Sequence, residues 1–413
     1  MSAASIAVAG LVALAVAMGI GRFAFTPLLP MMLHDGVVDL HGASWLASAN
    51  YVGYLIGALG CTLQPWLWAR VPRLPAIDAP LLVRTGLVGT ALLTLAMAVP
   101  IPALWPTLRF AAGIASSLVF VYSSGWCLAQ LAARGQPALG GAMFAGPGAG
   151  IVASGLLASA MVAWRMTSAV AWLVFGLLAA ALTASVWRVF APSASGRRPL
   201  AAAGATSAAP PIAATAAPSR HGRIEVATLA FAYGISGFGY IVTATFLPVI
   251  ARASLPAASP WLDLFWPIFG VGVIVGALLA TRVRIGGDLR LVLAAAYVLQ
   301  AIAIGVGIGA PTAAGFGVGS FLLGLPFTAI TYFALQEVRR LRPLQIASTT
   351  GLVTVVWSIG QAAGPPMVAL LLRRGGEVNA AFTLALAIAA ATLVLGAFVF
   401  AASTRIWPRS PPS

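Results

Sequence analysis

The string GIGRFAFTPLLP, residues 19–30, sets Arg22 inside an apolar run with no carboxylate nearby. A guanidinium stays protonated and offers five N–H donors in a planar fork, so its chemistry is recognition of a carboxylate or phosphate rather than proton transfer. A second arginine, Arg109, opens RFAAGIASS (109–117) in a similar setting. Polar side chains on apolar segments that could complete a binding site are Asn50, Tyr54, Tyr240, Tyr332, Trp357 and Gln361. Enzyme chemistry has less to work with. The three histidines lie outside the apolar runs, no Gly-x-Ser-x-Gly string occurs, and a chain without lysine has no Gly-x4-Gly-Lys nucleotide loop. HDGVVDLH (34–41) groups His and Asp without the spacing of a metal motif and reads as an exposed loop. Neither a cofactor nor a metal is implied.

What positions these groups is a membrane. Apolar residues make up 61% of the 413 and charged residues 8%, against roughly 25% charged in a soluble domain. The apolar residues gather into runs of the length a helix needs to cross a hydrocarbon core of about 30 Å. The pattern predicts an all-α integral membrane protein with twelve transmembrane helices, at 6–32, 44–68, 80–101, 104–133, 138–163, 166–190, 223–252, 260–282, 288–309, 312–338, 345–372 and 378–404. No segment alternates apolar and polar residues as a barrel strand does. Residues 1–20 lack a basic leader and their apolar run continues to Leu33, which argues against a signal peptide. Cys61 and Cys127 fall inside spans and read as small packing residues.

The formal net charge of +15 follows the same topology. With the N terminus inside, seventeen arginines fall on cytoplasmic segments and four, Arg165, Arg252, Arg373 and Arg374, on the other side. That split is the positive-inside pattern, and an even number of spans returns the C terminus to the cytoplasm. The basic balance therefore implies contact with anionic lipid and not a nucleic acid partner. Trp45, Trp66, Trp68, Trp105, Trp164, Trp187, Trp261 and Trp407 lie near span ends and read as interface anchors.

Residues 191–222, rich in Ala, Pro, Ser and Gly, cannot build a core and are expected to be a flexible cytoplasmic linker between bundles at 1–190 and 223–413. A shift of 218 residues lays GRFAFTPLLP (21–30) on GYIVTATFLP (239–248) and Gly146-Pro147 on Gly364-Pro365. A shift of 219 lays YLIGAL (54–59) on VIVGAL (273–278). Three pieces agreeing within one residue indicate a duplicated six-helix unit. Because six is even, the two copies run parallel through the membrane.

Parallel six-helix repeats resemble the major facilitator transporters. RFAAGIASS is similar to that family's fourth-helix motif, AMFAGPGAG (142–150) to its fifth-helix Gly-Pro motif, and GIGRFAFTPLLPMM resembles the YbfB/YjiJ-like subgroup. The loop after the second helix departs from the family pattern, since residues 57–73 carry no acid and residues 276–290 lack the early Asp. The resemblance implies a secondary transporter that rocks its two halves about a central site, with spans three, six, nine and twelve facing lipid. Gly113, Gly146, Pro147, Gly150, Gly360, Gly364 and Pro365 are then the expected close-packing and bending positions.

Arg22 lies sixteen residues beyond Ile6, roughly 24 Å at 1.5 Å per residue. A central arginine costs on the order of 3 kcal/mol even on a lenient insertion scale, so it is expected to face the bundle interior or a wet cavity. The sequence therefore predicts a central chamber in which Arg22, Arg109 or both bind a small organic anion, with Tyr240, Trp357, Gln361, Asn50, Tyr54 and Tyr332 lining it. The competing structural reading is an arginine tied to helix carbonyls at the repeat interface. Competing functions are a proton-coupled exporter of amphipathic drugs with a mainly aromatic cavity, a non-transporting sensor and an intramembrane enzyme. All eight acids lie at span ends or in loops, so protons as a coupling ion would act through Asp263 or Glu337; Glu337 beside Arg339 and Arg340 also reads as a surface ion pair. A monomer in the bacterial inner membrane is expected.

Overall fold

The computed structural model describes residues 1–71, 78–136, 138–191, 222–257, 259–282, 287–343, 346–373 and 377–409. Apart from its two end residues, the expected linker lies outside them. Every regular element among the described residues is helical. The first span is divided into α1 (Ala3–Leu14), a π-helical segment (Ala15–Ile20) and α2 (Phe25–His34). There follow α3 (Leu40–Arg70), α4 (Ala79–Ala96), α5 (Trp105–Ala132), α6 (Leu139–Met143), α7 (Gly146–Ala163) and α8 (Ser168–Val186). The second half holds α9 (Gly222–Ser254), α10 (Phe265–Ala280), α11 (Leu289–Gly309), α12 (Ala313–Gly324), α13 (Phe327–Leu341), α14 (Ile346–Arg373) and α15 (Val378–Ile406). Among the described residues, eleven stretches are long and apolar enough to cross a membrane, and the twelfth expected span is the shorter α10.

Three spans expected to be continuous are broken. The fifth breaks between α6 and α7, just before Gly146-Pro147, and the tenth between α12 and α13, at Leu325-Pro326. Proline removes an N–H from the ladder, which accounts for both positions. The first break is different, for no proline lies between Ala15 and Ala24. There Gly21 N donates to Val16 O at 2.8 Å and Phe23 N to Met18 O at 3.0 Å, so each bond skips one carbonyl. A methyl on Gly19 would collide with the backbone of Gly150 on α7, and one on Gly21 with the side chain of Thr90 on α4. The GIG triplet thus lets the irregular turn press against two neighbours.

Acidic and hydroxyl side chains start several helices. Asp39 accepts from Gly42 N at 2.6 Å at the head of α3, and Asp35 accepts from Ser168 N at 2.6 Å at the head of α8. Each satisfies an N–H that a helix start leaves unpaired. The two acids of the HDGVVDLH loop therefore have structural work. Of the expected interface tryptophans, Trp105 is buried and donates to Val99 O at 3.1 Å, so it packs inside the bundle and is not an anchor.

The chain begins and ends at one end of the bundle, here the base; the other end is the crown. Across the bundle, α3 packs on α14 and α7 on α10, two interfaces that the 218-residue shift exchanges. At the crown, Thr26 on α2 donates to Ala244 O on α9 at 2.7 Å, and Ser48 on α3 donates to Ala362 O on α14 at 3.0 Å. Both acceptors stand four residues before a proline inside their helix, Pro248 and Pro366. Proline has no N–H for the carbonyl four residues back. The two hydroxyls therefore satisfy, from the opposite half, the acceptors that those prolines orphan. Thr26 and Ala244 are themselves equivalent under the 218-residue shift, which places this contact at the axis relating the repeats.

Candidate functional site

The irregular turn after the π segment aims Arg22 at the junction of the halves. The carbonyls released there are taken by α5: Ser116 Oγ donates to Ala17 O at 2.9 Å, and Arg109 donates from Nη1 to Gly21 O and from Nη2 to Arg22 O, each at 3.1 Å. Asn50 Nδ2 on α3 donates to Arg109 O at 2.9 Å, and a methyl on Gly113 would collide with Asn50 O, so α3 and α5 are drawn close beneath the turn. Serine, arginine and asparagine here replace the ladder that a regular helix would supply, as irregular backbone inside a membrane requires. Arg109 therefore holds the Arg22 backbone through both Nη atoms, and only its buried Nε lacks a partner among the described residues.

Arg22 is only 1% exposed. Its guanidinium carbon lies 4.2 Å from the Tyr54 ring centre, 5.0 Å from Tyr51, 5.3 Å from Phe23 and 5.8 Å from Trp357. Nη2 donates to Gln361 Oε1 on α14, and Gln361 Nε2 in turn donates to the Tyr240 hydroxyl on α9. Nε and Nη1 are buried and have no hydrogen-bond partner among the described residues. Buried donors are nearly always satisfied, so two open ones on a charged group mark a place where something else binds. Aromatic faces hold the charge by cation–π attraction in the meantime.

Beyond Gln361 the second half presents a wall of rings. Trp357 stacks on Tyr240 (centroids 6.1 Å apart, planes at 20°) and on Tyr233 (5.9 Å, 14°), while Phe327 meets Tyr240 edge-on at 4.9 Å. Of the sequence-predicted residues, the structure brings together Arg22, Tyr54, Tyr240, Trp357 and Gln361. Asn50 and Arg109 belong to the support beneath. Tyr332 is half-buried with its ring against Phe333 on α13, outside the set of rings around the Arg22 guanidinium. Sequence reasoning missed Phe23, and it left Tyr51, a polar residue of an inner span, out of the binding set. Tyr51 precedes Tyr54 by three residues on α3, a helical spacing that places both rings on one face.

The expected wet chamber is closed in this structure. Gln361, Tyr240, Tyr54 and Tyr51 are all buried, and Tyr51 seals the crown side by bonding Thr245 on α9 at 2.9 Å. A cavity of about 280 Å³ does exist, but it lies at the crown of the second half, lined by Ile250, Asn379, Phe382 and Thr383 among others, away from Arg22. Near the base, Thr62 on α3 faces Gly351 on α14 so closely that a methyl would not fit, and Thr281 does the same to Gly141. The two halves therefore meet both above and below Arg22.

The acids stand apart from this site. Glu337 is buried, contrary to its reading as a surface ion pair: it accepts from Arg340 at 2.7 Å and from Arg409 of the tail at 2.5 Å. Arg290, also buried, bonds Asp288 at 2.6 Å and the carbonyls of Ser403 and Trp407 at 2.9 and 2.8 Å. Burial alone would raise the Asp288 carboxyl; hydrogen bonds from Arg290 and the charge of Arg409 outweigh it and hold the carboxyl below its ordinary value. Asp263 pairs with Arg252 at the crown.

No curated relative matches the chain. Two solved structures of the nucleoside transporter NupG share its fold: a point mutant at 13% identity and TM-score 0.66, covering 96% of this chain and 99% of that one, and a second NupG structure at 14% and 0.64, covering 97% and 99%. The family model described as "Uncharacterised MFS-type transporter YbfB" matches residues 14–401. A match over nearly the whole helical chain places this protein in that family: it is a multi-pass membrane transporter of the major facilitator type, and not an enzyme.

Proposed function

We propose that this chain is a secondary active transporter of a small organic anion, with residues 1–190 and 223–413 alternating about Arg22 to expose it to one side of the membrane at a time. The observation that carries this reading is a buried, permanently charged guanidinium with two unpartnered nitrogens, placed where the halves meet and facing no carboxylate. Gln361 now holds Nη2, the nitrogen common to both two-pronged edges of a guanidinium. A carboxylate outcompetes that amide because it brings a full negative charge and two oxygens that fit the fork, whereas the neutral amide oxygen accepts at one point. Its arrival releases Gln361 and Tyr240 from Arg22, and with them a direct tie between the halves. Binding and loosening are then one event, and differential affinity for two states is what moves a carrier.

The arginine distribution supports a cell-membrane orientation with both termini, and hence the base, in the cytoplasm. The structure is then closed at the outer face. A second reading has support in the ring wall: a neutral planar solute, such as the nucleosides named for NupG, would stack there without needing Arg22. Uptake and efflux of organic anions in reconstituted vesicles separate the two. Arg22→Gln is expected to abolish anion transport while the protein still purifies as a folded species. Retained anion transport in that variant defeats the anion reading.

A further inference from the structure

We propose that the solute is a flat aromatic monocarboxylate, its carboxylate on Arg22 and its ring among the aromatic faces that now cover the guanidinium. This rests on the anion reading above and narrows it. The first ground is the composition of the wall. Four rings, Phe23, Tyr51 and Tyr54 from one half and Trp357 from the other, lie within 5.8 Å of the guanidinium carbon. Trp357 continues into a near-parallel pile with Tyr240 and Tyr233. A guest entering between Arg22 and this wall must replace ring-to-cation and ring-to-ring contacts as it separates them. A planar unsaturated guest restores offset stacking with Trp357 and Tyr240; a saturated one of equal size does not.

The second ground is charge. Both nitrogens that Arg109 could offer at the end of its guanidinium already serve Gly21 O and Arg22 O. Arg109 keeps its charge but commits both Nη atoms to carbonyls, so Arg22 is the guanidinium of the pair whose fork is open to a guest. One carboxylate fits that open fork, whereas a second carboxylate on the guest would find no open fork to receive it. The third ground is the donors set free. Once the guest takes Nη2, the Gln361 amide N–H and the Tyr240 O–H, now joined to each other and to Arg22 through Gln361, become able to donate to its other oxygen.

The experiment measures thermal stabilisation and dissociation constants of the purified full chain in nanodiscs, with benzoate, cyclohexanecarboxylate, acetate, phthalate, benzamide and uridine as probes. Benzoate is expected to stabilise the protein and to bind about three- to tenfold tighter than cyclohexanecarboxylate, the worth of one aromatic pair. Phthalate and benzamide are expected to bind at least about tenfold more weakly than benzoate. Equal affinity for benzoate and cyclohexanecarboxylate overturns the aromatic assignment and leaves the anion reading standing. Stabilisation by benzamide or uridine without benzoate overturns the anion reading itself, and failure of all three monocarboxylates to bind overturns both. Trp357→Leu is expected to remove the benzoate preference while keeping acetate binding. An unchanged preference in a correctly folded Trp357→Leu, checked by its melting profile, defeats the stacking role, and Tyr240→Leu repeats the test should that variant fail to fold.

Discussion

Two arginines alike in sequence have separate tasks in space. Arg22 points its charge across the junction of the halves; Arg109 points its charge at backbone. The difference predicts distinguishable phenotypes. Arg109→Gln bares the carbonyls of Gly21 and Arg22, and leaving buried acceptors unsatisfied costs about 1–3 kcal/mol each. It is expected to lower the melting temperature markedly, and benzoate affinity measured below the new melting point is expected to fall mainly because the Arg22 backbone has moved. Arg22→Lys is expected to lower affinity without the loss of stability: it keeps the charge but lacks the fork, so stability changes little and anion affinity drops about tenfold or more. A melting curve beside a binding isotherm for each variant checks the pair. If Arg109→Gln leaves stability unchanged, its place beneath the turn is misassigned. The sequence already singled out Arg22 by its depth and lack of a counter-ion. It could not separate the two roles, because what Arg109 bonds is backbone freed by a π segment that leaves no signature in an apolar string.

At the scale of elements, hydropathy located every span, since span length is fixed by membrane thickness and shows directly in apolar runs. The breaks were less legible. Gly146-Pro147 and Leu325-Pro326 announce theirs by proline, while the break before Arg22 depends on how closely α4 and α7 press on GIG. Hydropathy also missed the cluster at the base, because Glu225, Asp288, Arg290, Glu337, Arg340 and Arg409 are scattered in sequence and meet only when α9, α11, α13 and the tail converge. The lowered Asp288 pKa carries a sign. A carboxyl more acidic in the folded than in the unfolded chain adds stability in full above its unfolded value, near pH 3.9, and loses it as pH falls through the folded value. Thermal stability is therefore expected to be flat in this contribution at neutral pH and to decline below about pH 4. Asp288→Asn is expected to be less stable at pH 7 and to show a shallower acid decline. An identical acid slope in variant and parent rules out Asp288 as a source.

For the molecule as a whole, duplication explains why the site lies where it does. The offset was visible in three short strings, two at 218 residues and one at 219, and it brings Thr26 against its own counterpart Ala244. The closed centre was not visible, because a sequence records which residues can line a chamber and not which conformation they adopt. The crown is held by hydroxyls that cap proline-orphaned carbonyls, and a single such bond is worth about 0.5–1.5 kcal/mol net. Thr26→Val or Ser48→Ala is therefore expected to raise crown opening about two- to tenfold. The rate at which a thiol reagent reaches a cysteine introduced at the buried crown position Leu29 reads that opening. Unchanged rates in both variants place the crown latch elsewhere.

The capped carbonyls carry one more consequence. Ala244 C=O accepts the Thr26 hydroxyl in place of the N–H that Pro248 lacks, so its stretching vibration must shift whenever that hydroxyl departs. A heavy-isotope label on this single carbonyl would let infrared spectroscopy follow the transport cycle in the native polypeptide, with no dye or spin probe attached.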